Sequence, residues 1–338
     1  MMTDLNELLE DKINITREME QKVNDIYKET SEFLSLQFEQ YSPDIFPQGS
    51  FKLGTIIRPT TGKDEFDLDF VCLLGKLNKS DINQEELYSL LEIALRKQYK
   101  EPILEPKKRC WRLNFDNFHV DILPAIHDDN TSQSLLIPDK DKKTWQSTNP
   151  LGYADWFKNK TLLISERSRV ENSIHPIPKQ NNDLPLQKIV KLMKYHRNFL
   201  FASDLDNRPI SMIVTTLAAI NYNGEQNLSN ALLTICNGIK SMTPNILNQN
   251  FIPNPVDPKE NFADAWKKHP KRKENFRIWV EKLDDLASRY SQVFVQNSKT
   301  DLSKLLLEHF GYATKLETKS PNVTQSHIIT NPSKQWYK

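Results

Sequence analysis

A strand-like run with two aspartates on one face is the feature that most constrains this chain. Residues 66–74 read Phe-Asp-Leu-Asp-Phe-Val-Cys-Leu-Leu, and this apolar, β-favouring composition predicts a strand. Side chains alternate between the faces of a strand, so Asp67 and Asp69 point one way while Leu68 and Phe70 point into a core. Two adjacent carboxylates repel each other and are costly to bury without a cation. The run therefore predicts a strand that carries a cation site.

A third carboxylate follows on a second predicted strand. Residues 111–115 and 118–123 read as a hairpin around a turn at 116–117, which places Asp121 in mid-strand. No basic side chain accompanies the three aspartates in the adjacent sequence, so we expect the balancing charge to be a metal ion. Mg²⁺ takes oxygen ligands, usually carboxylates together with substrate phosphates and water. Asp67, Asp69 and Asp121 are therefore the predicted catalytic residues and ligands of two Mg²⁺ or Mn²⁺ ions, as two-metal nucleotidyl transfer requires.

A small turn precedes the first strand. Gly49-Ser50 would let backbone N–H groups and a hydroxyl approach phosphate oxygens, although an ordinary turn is the alternative interpretation. Lys194 falls on a predicted helix, where a solvated surface position is the alternative to a phosphate contact. His119 shares a face with Asp121, and we predict a structural contact for it rather than a catalytic role.

Three groups of segments together resemble the bacterial cGAS/DncV-like nucleotidyltransferases, the CD-NTases. The first group holds the acidic and Gly-Ser motifs. The second resembles the two helices that contact the triphosphate in that family, and the third resembles a loop of related template-independent polymerases. The resemblance covers roughly residues 45–270, and the segments that carry it are 49–55, 64–69 and 119–125, then 187–198 and 208–216, then 253–261.

The resemblance implies a fold and a division into two lobes. The fold class is α+β: a polymerase-β-like mixed sheet with a long N-terminal spine helix and a helical C-terminal lobe. Residues 1–150 would form the nucleotidyltransferase lobe, and residues 151–338 would form the helical lobe with a polar tail. The active site would lie in the cleft between them.

The resemblance also implies an activity. Gly49, Ser50, Lys194 and Ser211 would hold the triphosphate of a donor NTP beside the three aspartates. The NTP would be ATP, with GTP, UTP or CTP as further candidate substrates. The product would be a cyclic di- or trinucleotide second messenger in anti-phage defence, and a separate effector protein would sense it. Two alternatives stay open: a linear oligonucleotide synthase would share every catalytic residue, and an enzyme that transfers a nucleotide onto a protein would keep the Gly-Ser and Asp-x-Asp motifs.

Composition favours a cytoplasmic enzyme that acts without a membrane or an obligate nucleic acid. The 338 residues carry a net charge of +1, so no overall field attracts nucleic acid. The basic cluster 267–273 is interpreted as solvated surface, with nucleic-acid contact as the alternative. Three cysteines, odd in number and widely spaced, predict reduced thiols and exclude a Cys-rich zinc module. No apolar run approaches the roughly 18–20 residues that span a bilayer, and the N-terminus lacks the features of a signal peptide.

Periodicity predicts the remaining elements. Helical spacing predicts helices over 16–38, with Thr16 as N-cap, and over 84–98. Apolar residues at helical spacing near 186–193 and near 210–218 predict two further helices. Two more helices are predicted over 277–295 and 302–310. Residues 127–149 are predicted to be loop and the proline-rich residues 241–260 an irregular connection, while the tail from residue 315 is polar.

Overall fold

The computed structural model describes residues 2–60, 66–100, 103–115, 118–128, 134–162 and 184–314. The turn predicted at 116–117 and the polar tail lie outside these residues. The α-helices of the described part are α1 (Met2–Leu8), α2 (Arg17–Gln37), α3 (Gly49–Leu53), α4 (Gln84–Gln98), α5 (Pro150–Thr161), α6 (Pro185–Leu200), α7 (Ser211–Asn221), α8 (Leu228–Gln249), α9 (Pro270–Gln296) and α10 (Lys299–Phe310). The strands are β1 (Pro43–Gln48), β2 (Phe66–Leu74), β3 (Leu104–Pro106), β4 (Trp111–Phe115), β5 (Phe118–His127), β6 (Leu135–Asp139), β7 (Thr144–Thr148), β8 (Pro253–Asn254) and β9 (Asp257–Asn261).

Strands β1 to β7 form one mixed sheet. Its order is β1-β2-β5-β4-β3, and the hairpin of β6 and β7 joins at the end of β5. The pair β2–β5 is parallel, whereas β1–β2 and β4–β5 are antiparallel. Parallel neighbours need a crossover connection, which α4, β3 and β4 supply here. The mixed sheet and its helices confirm the predicted α+β class.

The predicted N-terminal helix is α2, and it packs against the strands that carry the candidate site. The Thr16 side chain caps it by accepting a hydrogen bond from the Met19 N–H at 3.2 Å, which satisfies one of the free N–H groups of the first turn. The hydroxyl of Tyr27 donates to the carbonyl of Ile45 on β1 at 3.0 Å. The Tyr27 ring also lies 5.0 Å from that of Phe70 on β2. These contacts fix β1 and β2 relative to the helix.

The C-terminal half is helical, as expected, and it shares a core with the N-terminus. Leu5 and Leu8 of α1 are buried in the same apolar cluster as Ile189 of α6 and Trp279 of α9. The sheet and α2 contribute a separate cluster. No helix in the described ranges has the length and apolar character needed to cross a membrane. The division into lobes 1–150 and 151–338 stays a prediction.

Two segments differ from their predicted structures. Residues 127–149, expected to be loop, contain β6 and β7, because Leu135 and Leu136 pair with the end of β5. This pairing is a tertiary contact that a three-residue apolar run does not reveal. Residues 241–260, expected to be irregular, continue α8 through Pro244 to Gln249 and then form the β8–β9 hairpin. Buried Ile239 and Ile246 on either side of Pro244 hold this helix in the core.

Candidate active site

Strand pairing brings the three predicted metal ligands to neighbouring positions. In the parallel pair β2–β5, Asp69 lies opposite Asp121 and Asp67 lies opposite His119. Asp67 and Asp69 are two residues apart on β2 and therefore share a face. The three carboxylates thus come from two adjacent strands at the centre of the sheet. Their role as metal ligands stays a prediction.

Asp121 has a partner that the sequence analysis did not foresee. Arg112 lies opposite Asp121 in the antiparallel pair β4–β5. Its Nε and Nη2 donate to the two carboxylate oxygens at 2.7 and 2.8 Å. The expectation of three aspartates without a basic neighbour is therefore wrong for Asp121. The two residues are nine positions apart in the chain, and strand pairing makes them neighbours.

The other two aspartates have opposite electrostatic surroundings. Burial raises the pKa of Asp67, but the hydrogen bond to His119 and the charges of His119, Arg112 and Arg208 outweigh burial and hold that pKa below its usual range. Burial, together with the charges of Asp67 and the third aspartate, raises the pKa of Asp69 to about 7. A poorly solvated carboxylate beside two others forms an all-oxygen donor set, which fits Mg²⁺ or Mn²⁺.

Gly49 begins α3 directly after β1 and lies against these carboxylates. Its φ of +58° is in the left-handed region that favours glycine. A β-carbon built at position 49 would lie 2.5 Å from Oδ2 of Asp69. Gln48 is the β1 residue that pairs with Asp69. The Gly-Ser turn is therefore at the acidic cluster, as the predicted site requires.

Three predicted nucleotide contacts surround one cavity. Ser50, Lys194 and Ser211 line a space of about 70 Å³, and Asp67 lines it as well. We call this space the small cavity. Ser211 is the first residue of α7, and the N-cap position is Ile210.

Lys194 is buried rather than solvated, with 4% of its surface exposed. Its Nζ donates to the carbonyl and the hydroxyl of Thr55, both at 3.1 Å. Burial, with the charges of Arg197 and Lys191, lowers the pKa of Lys194 to about 7, against the opposing effect of Asp67 and its neighbouring aspartate. An anionic ligand in the small cavity would therefore stabilise the protonated amine.

Arg197 and Arg208 are residues that the sequence reasoning missed. Both line the small cavity. Arg197 is 3% exposed, and its Nη1 donates to Ser211 Oγ at 3.1 Å and to the Pro209 carbonyl at 2.9 Å. Arg197 follows Lys194 by three residues and therefore lies on the same face of α6. This spacing was the sequence signal that could have identified Arg197 as a second cation of the site. Several cations around so small a space suit a polyanion such as a triphosphate.

A larger cleft also borders the acidic cluster. It measures about 1150 Å³, and both Gly49 and Asp69 line it. Its walls come from α3, the β6–β7 hairpin, α5 and the β8–β9 hairpin, and they include Tyr153, Ile210 and Phe262. We call this space the large cleft. Polar and charged side chains outnumber the apolar ones along these walls, which suits a ligand that combines apolar rings with polar and charged groups.

A second cluster of possible metal ligands lies on α9 and α10. Ligand atoms of Asp285, Glu308 and His309 lie within 4.8 Å of one another. Arg289 Nη1 donates to Asp285 at 3.2 Å and to Glu308 at 2.7 Å. This guanidinium already bridges the two carboxylates, so we assign the cluster a structural role between the two helices.

Sequence comparison shows the family. Residues 1–161 match the model of the Second Messenger Oligonucleotide or Dinucleotide Synthetase domain. Over 320 residues the chain is 31% identical to a c-di-GMP synthase of Roseivirga ehrenbergii, which covers 90% of this chain and 83% of that protein. The chain belongs to the CD-NTase family. It is also 24% identical over 248 residues to the cyclic dinucleotide synthase CdnG of Bradyrhizobium diazoefficiens, covering 65% of this CD-NTase and 59% of that protein.

Solved structures show that the fold is also that of the CD-NTases. CdnG of B. diazoefficiens, in complex with GTP, superposes with a TM-score of 0.72 at 19% identity, over 92% of this chain and 96% of that one. DncV of Vibrio cholerae, in complex with the linear intermediate 5′ pppA(3′,5′)pG, gives a TM-score of 0.62 at 17% identity, over 92% of this chain and 96% of that one. The predicted polymerase-β-like nucleotidyltransferase fold is confirmed.

Family membership confirms the predicted class of activity. This CD-NTase is a nucleotidyltransferase that makes a cyclic oligonucleotide from NTPs. Membership also implies dependence on a divalent metal ion, and the oxygen donors of the acidic cluster fit such an ion.

Proposed function

We propose that this CD-NTase makes a cyclic dinucleotide from GTP, with c-di-GMP as its product. The observation that carries the proposal is the 31% identity to a c-di-GMP synthase over 90% of the chain. The similarity to CdnG, whose structure was solved in complex with GTP, agrees with it. A pocket for one drug-sized ligand measures roughly 300–1000 Å³, so the large cleft, at about 1150 Å³, has room for more than one nucleoside.

The site residues take the following proposed roles. Ser50, Lys194 and Ser211 hold the donor triphosphate in the small cavity, where Arg197 and Arg208 add positive charge. Gly49 lets the chain approach the phosphates without a side chain in the way. These contacts would place the α-phosphate beside Asp67, which lines the same cavity.

Asp67, Asp69 and Asp121 would hold two Mg²⁺ or Mn²⁺ ions. When bound, such ions favour ionisation of the acceptor hydroxyl and neutralise charge on the transferring and leaving phosphates. The acceptor hydroxyl attacks the α-phosphorus in line, and pyrophosphate leaves. The linear intermediate then turns within the large cleft so that its free hydroxyl attacks the α-phosphorus of its remaining triphosphate; a second pyrophosphate leaves and the ring closes.

Product analysis tests the proposal. The enzyme is incubated with GTP alone, with ATP alone and with all four NTPs, each with Mg²⁺ or Mn²⁺, and the products are treated with phosphatase before mass spectrometry. We expect GTP alone to give a phosphatase-resistant product with the mass of cyclic di-GMP. A requirement for ATP would contradict the guanine-only product, and a phosphatase-sensitive linear product would contradict ring closure. D67A, D69A and D121A should each abolish every product.

The number of metal ions is tested separately. Titration with Mn²⁺, followed by electron paramagnetic resonance in the presence of a non-hydrolysable GTP analogue, should give two bound ions for each enzyme molecule. A single ion would overturn the two-metal arrangement. The same titration of D69A should lose at least one ion.

We also propose that the enzyme acts in the cytoplasm, in anti-phage signalling, through a separate effector protein that senses the product. Its cysteines, Cys72, Cys110 and Cys236, are free and buried, as suits a reducing compartment. Phage challenge of cells that carry the wild-type gene or the D69A gene, with and without candidate effector genes, tests this role. Equal plaque numbers in all strains would contradict it.

A further inference from the structure

A row of polar side chains crosses five strands of the sheet at the level of the acidic cluster. Strand register places Gln48 on β1 opposite Asp69 on β2, which lies opposite Asp121 on β5. Asp121 lies opposite Arg112 on β4, which in turn lies opposite Glu105 on β3. Arg112 is therefore the one cation in this row, and it stands directly behind the third aspartate of the site.

We propose that Arg112 is a positioning residue that holds the carboxylate of Asp121 in the orientation needed to bind metal. The proposal rests on the proposed role of Asp121 as a metal ligand. Arg112 contacts Asp121 and acts through it, so it is not itself a catalytic residue.

The geometry of the contact supports positioning. Nε and Nη2 of one guanidinium each donate to a different oxygen of the Asp121 carboxylate, at 2.7 and 2.8 Å. Such a planar, two-point contact, which we call the fork, fixes both the position and the plane of a carboxylate. A lysine ammonium in the same place would supply the charge as a point and would leave the carboxylate free to turn.

The contact leaves Asp121 able to bind a metal ion. An ionised carboxylate has about four lone-pair sites on its two oxygens, and the fork uses one site on each. The side chains of Arg112 and Asp121 are 24% and 14% exposed, so water competes little for the hydrogen bonds. Both residues lie within strands whose backbones are held by the sheet ladder, which keeps the two side chains in register.

Metal binding by four proteins tests the proposal. Mn²⁺ affinity is measured by titration calorimetry, with and without a non-hydrolysable GTP analogue, for wild type, R112K, R112Q and D121A. Outer-shell partners of metal ligands typically contribute 10- to 100-fold to affinity or activity. We therefore expect R112K, which keeps the charge but loses the fork, to bind Mn²⁺ about 10- to 100-fold more weakly than wild type. We also expect its kcat at saturating Mn²⁺ to fall while KM for GTP stays within a factor of about two.

R96Q is the matched control. Arg96 also makes a charge-assisted Nε contact with a carboxylate, that of Glu92 at 2.8 Å, but both residues are on α4, outside the row of polar side chains. Its Mn²⁺ affinity and kcat should equal those of wild type. Circular dichroism and thermal unfolding establish that each variant is folded, and R112K decides the question if R112Q does not fold.

The outcomes distinguish a failure of this proposal from a failure of the proposed role of Asp121 as a metal ligand. If D121A binds Mn²⁺ as tightly as wild type, Asp121 is not a ligand and the proposed metal site fails. If D121A loses affinity but R112K matches wild type in both affinity and kcat, the fork has no positioning role. If R112Q binds Mn²⁺ more tightly than wild type, Arg112 competes with the metal ion instead of orienting its ligand, and the proposal is overturned.

Discussion

Gly49 lies so close to Asp69 that the two positions constrain each other's side chains. A β-carbon at residue 49 would lie 2.5 Å from Oδ2 of Asp69 and 3.4 Å from its Cγ. The backbone of Gly49 has a φ of +58°, which an L-residue with a side chain rarely adopts. The phosphate-side turn and the acidic cluster are thus packed directly against each other.

The first prediction is that G49A strongly reduces activity. The added methyl group would push Asp69 from its position, and displacements of about 1 Å at an active site can reduce rates on the order of 100-fold. The positive φ adds a stability cost of about 1–2 kcal/mol. Steady-state product formation and urea unfolding measure the two effects.

G224A is the matched control for this prediction. Gly224 has a φ of +91°, but a β-carbon there meets nothing within 4 Å. Both variants place a side chain on a backbone with positive φ, whereas only G49A brings the new β-carbon against Asp69. We expect G224A to lose stability while keeping near wild-type activity. Equal activity of the two variants would show that the contact with Asp69 does not matter.

The second prediction concerns the pH dependence of stability in EDTA. The pKa of Asp69 is raised to about 7 in the folded protein by burial and by its neighbouring aspartates, whereas an unfolded aspartate titrates near 3.9. Between about pH 4 and pH 7 the folded state keeps a proton that the unfolded state loses. Stability that is fully present below pH 4 should therefore be lost as the pH rises through 7.

D69N removes this titration and should flatten the decline. Its free energy of unfolding should exceed that of wild type at pH 8, and the two should converge near pH 4. D25N, at an exposed position on α2, controls for the loss of a surface charge. D121N should behave in the opposite way and destabilise the protein at pH 8, because it leaves the partly buried Arg112 without its ionised partner. A D69N curve parallel to that of wild type would contradict the prediction.

The third prediction is that K194M weakens NTP binding more than it slows catalysis. Lys194 is proposed to contact the β- and γ-phosphates, away from the reacting phosphorus. A charge-assisted hydrogen bond contributes about 1.5–3 kcal/mol, or roughly ten- to a hundredfold in affinity. The pKa of Lys194 is lowered to about 7, so above pH 7 the wild-type protein should take up a proton when it binds GTP. K194M should bind GTP without this proton uptake.

Calorimetry with GTP and GMP, in buffers of different ionisation enthalpy, measures both effects. K194M should lose affinity for GTP but not for GMP. K188M, on the same helix and with its Nζ donating to Asn6 Oδ1 at 3.0 Å, should bind both nucleotides as wild type does. Unchanged GTP affinity in K194M would remove Lys194 from the donor site.

The fourth prediction is that basal activity needs no nucleic acid. The chain is nearly neutral overall, and the cluster 267–273 at the start of α9 has exposed members such as Lys267 and Lys271. If the cluster contacted duplex phosphates, the logarithm of the DNA-binding constant would fall with the logarithm of the salt concentration, with a slope of about −0.9 for each phosphate neutralised. We expect activity to be the same before and after nuclease treatment. Strong stimulation by duplex DNA, lost in K271E/R272E/K273E but kept in K28E, would show that the cluster is a sensor.

The sequence by itself determined the features that depend on local periodicity. Two aspartates two residues apart on an apolar strand must share a face, because side chains alternate along a strand. Helix α2 follows from the spacing of its apolar residues and from the cap at Thr16. These relationships hold within a few residues of the chain, so no knowledge of distant contacts is needed.

The tertiary structure alone decided which side chains meet and how their charges behave. The contact between Arg112 and Asp121 depends on the register of β4 against β5, and the β6–β7 hairpin depends on pairing with the end of β5. The pKa values of Asp69 and Lys194 depend on how much water the surrounding elements exclude. Strand register and desolvation arise from packing between segments far apart in the chain, so a local sequence pattern predicts neither of them.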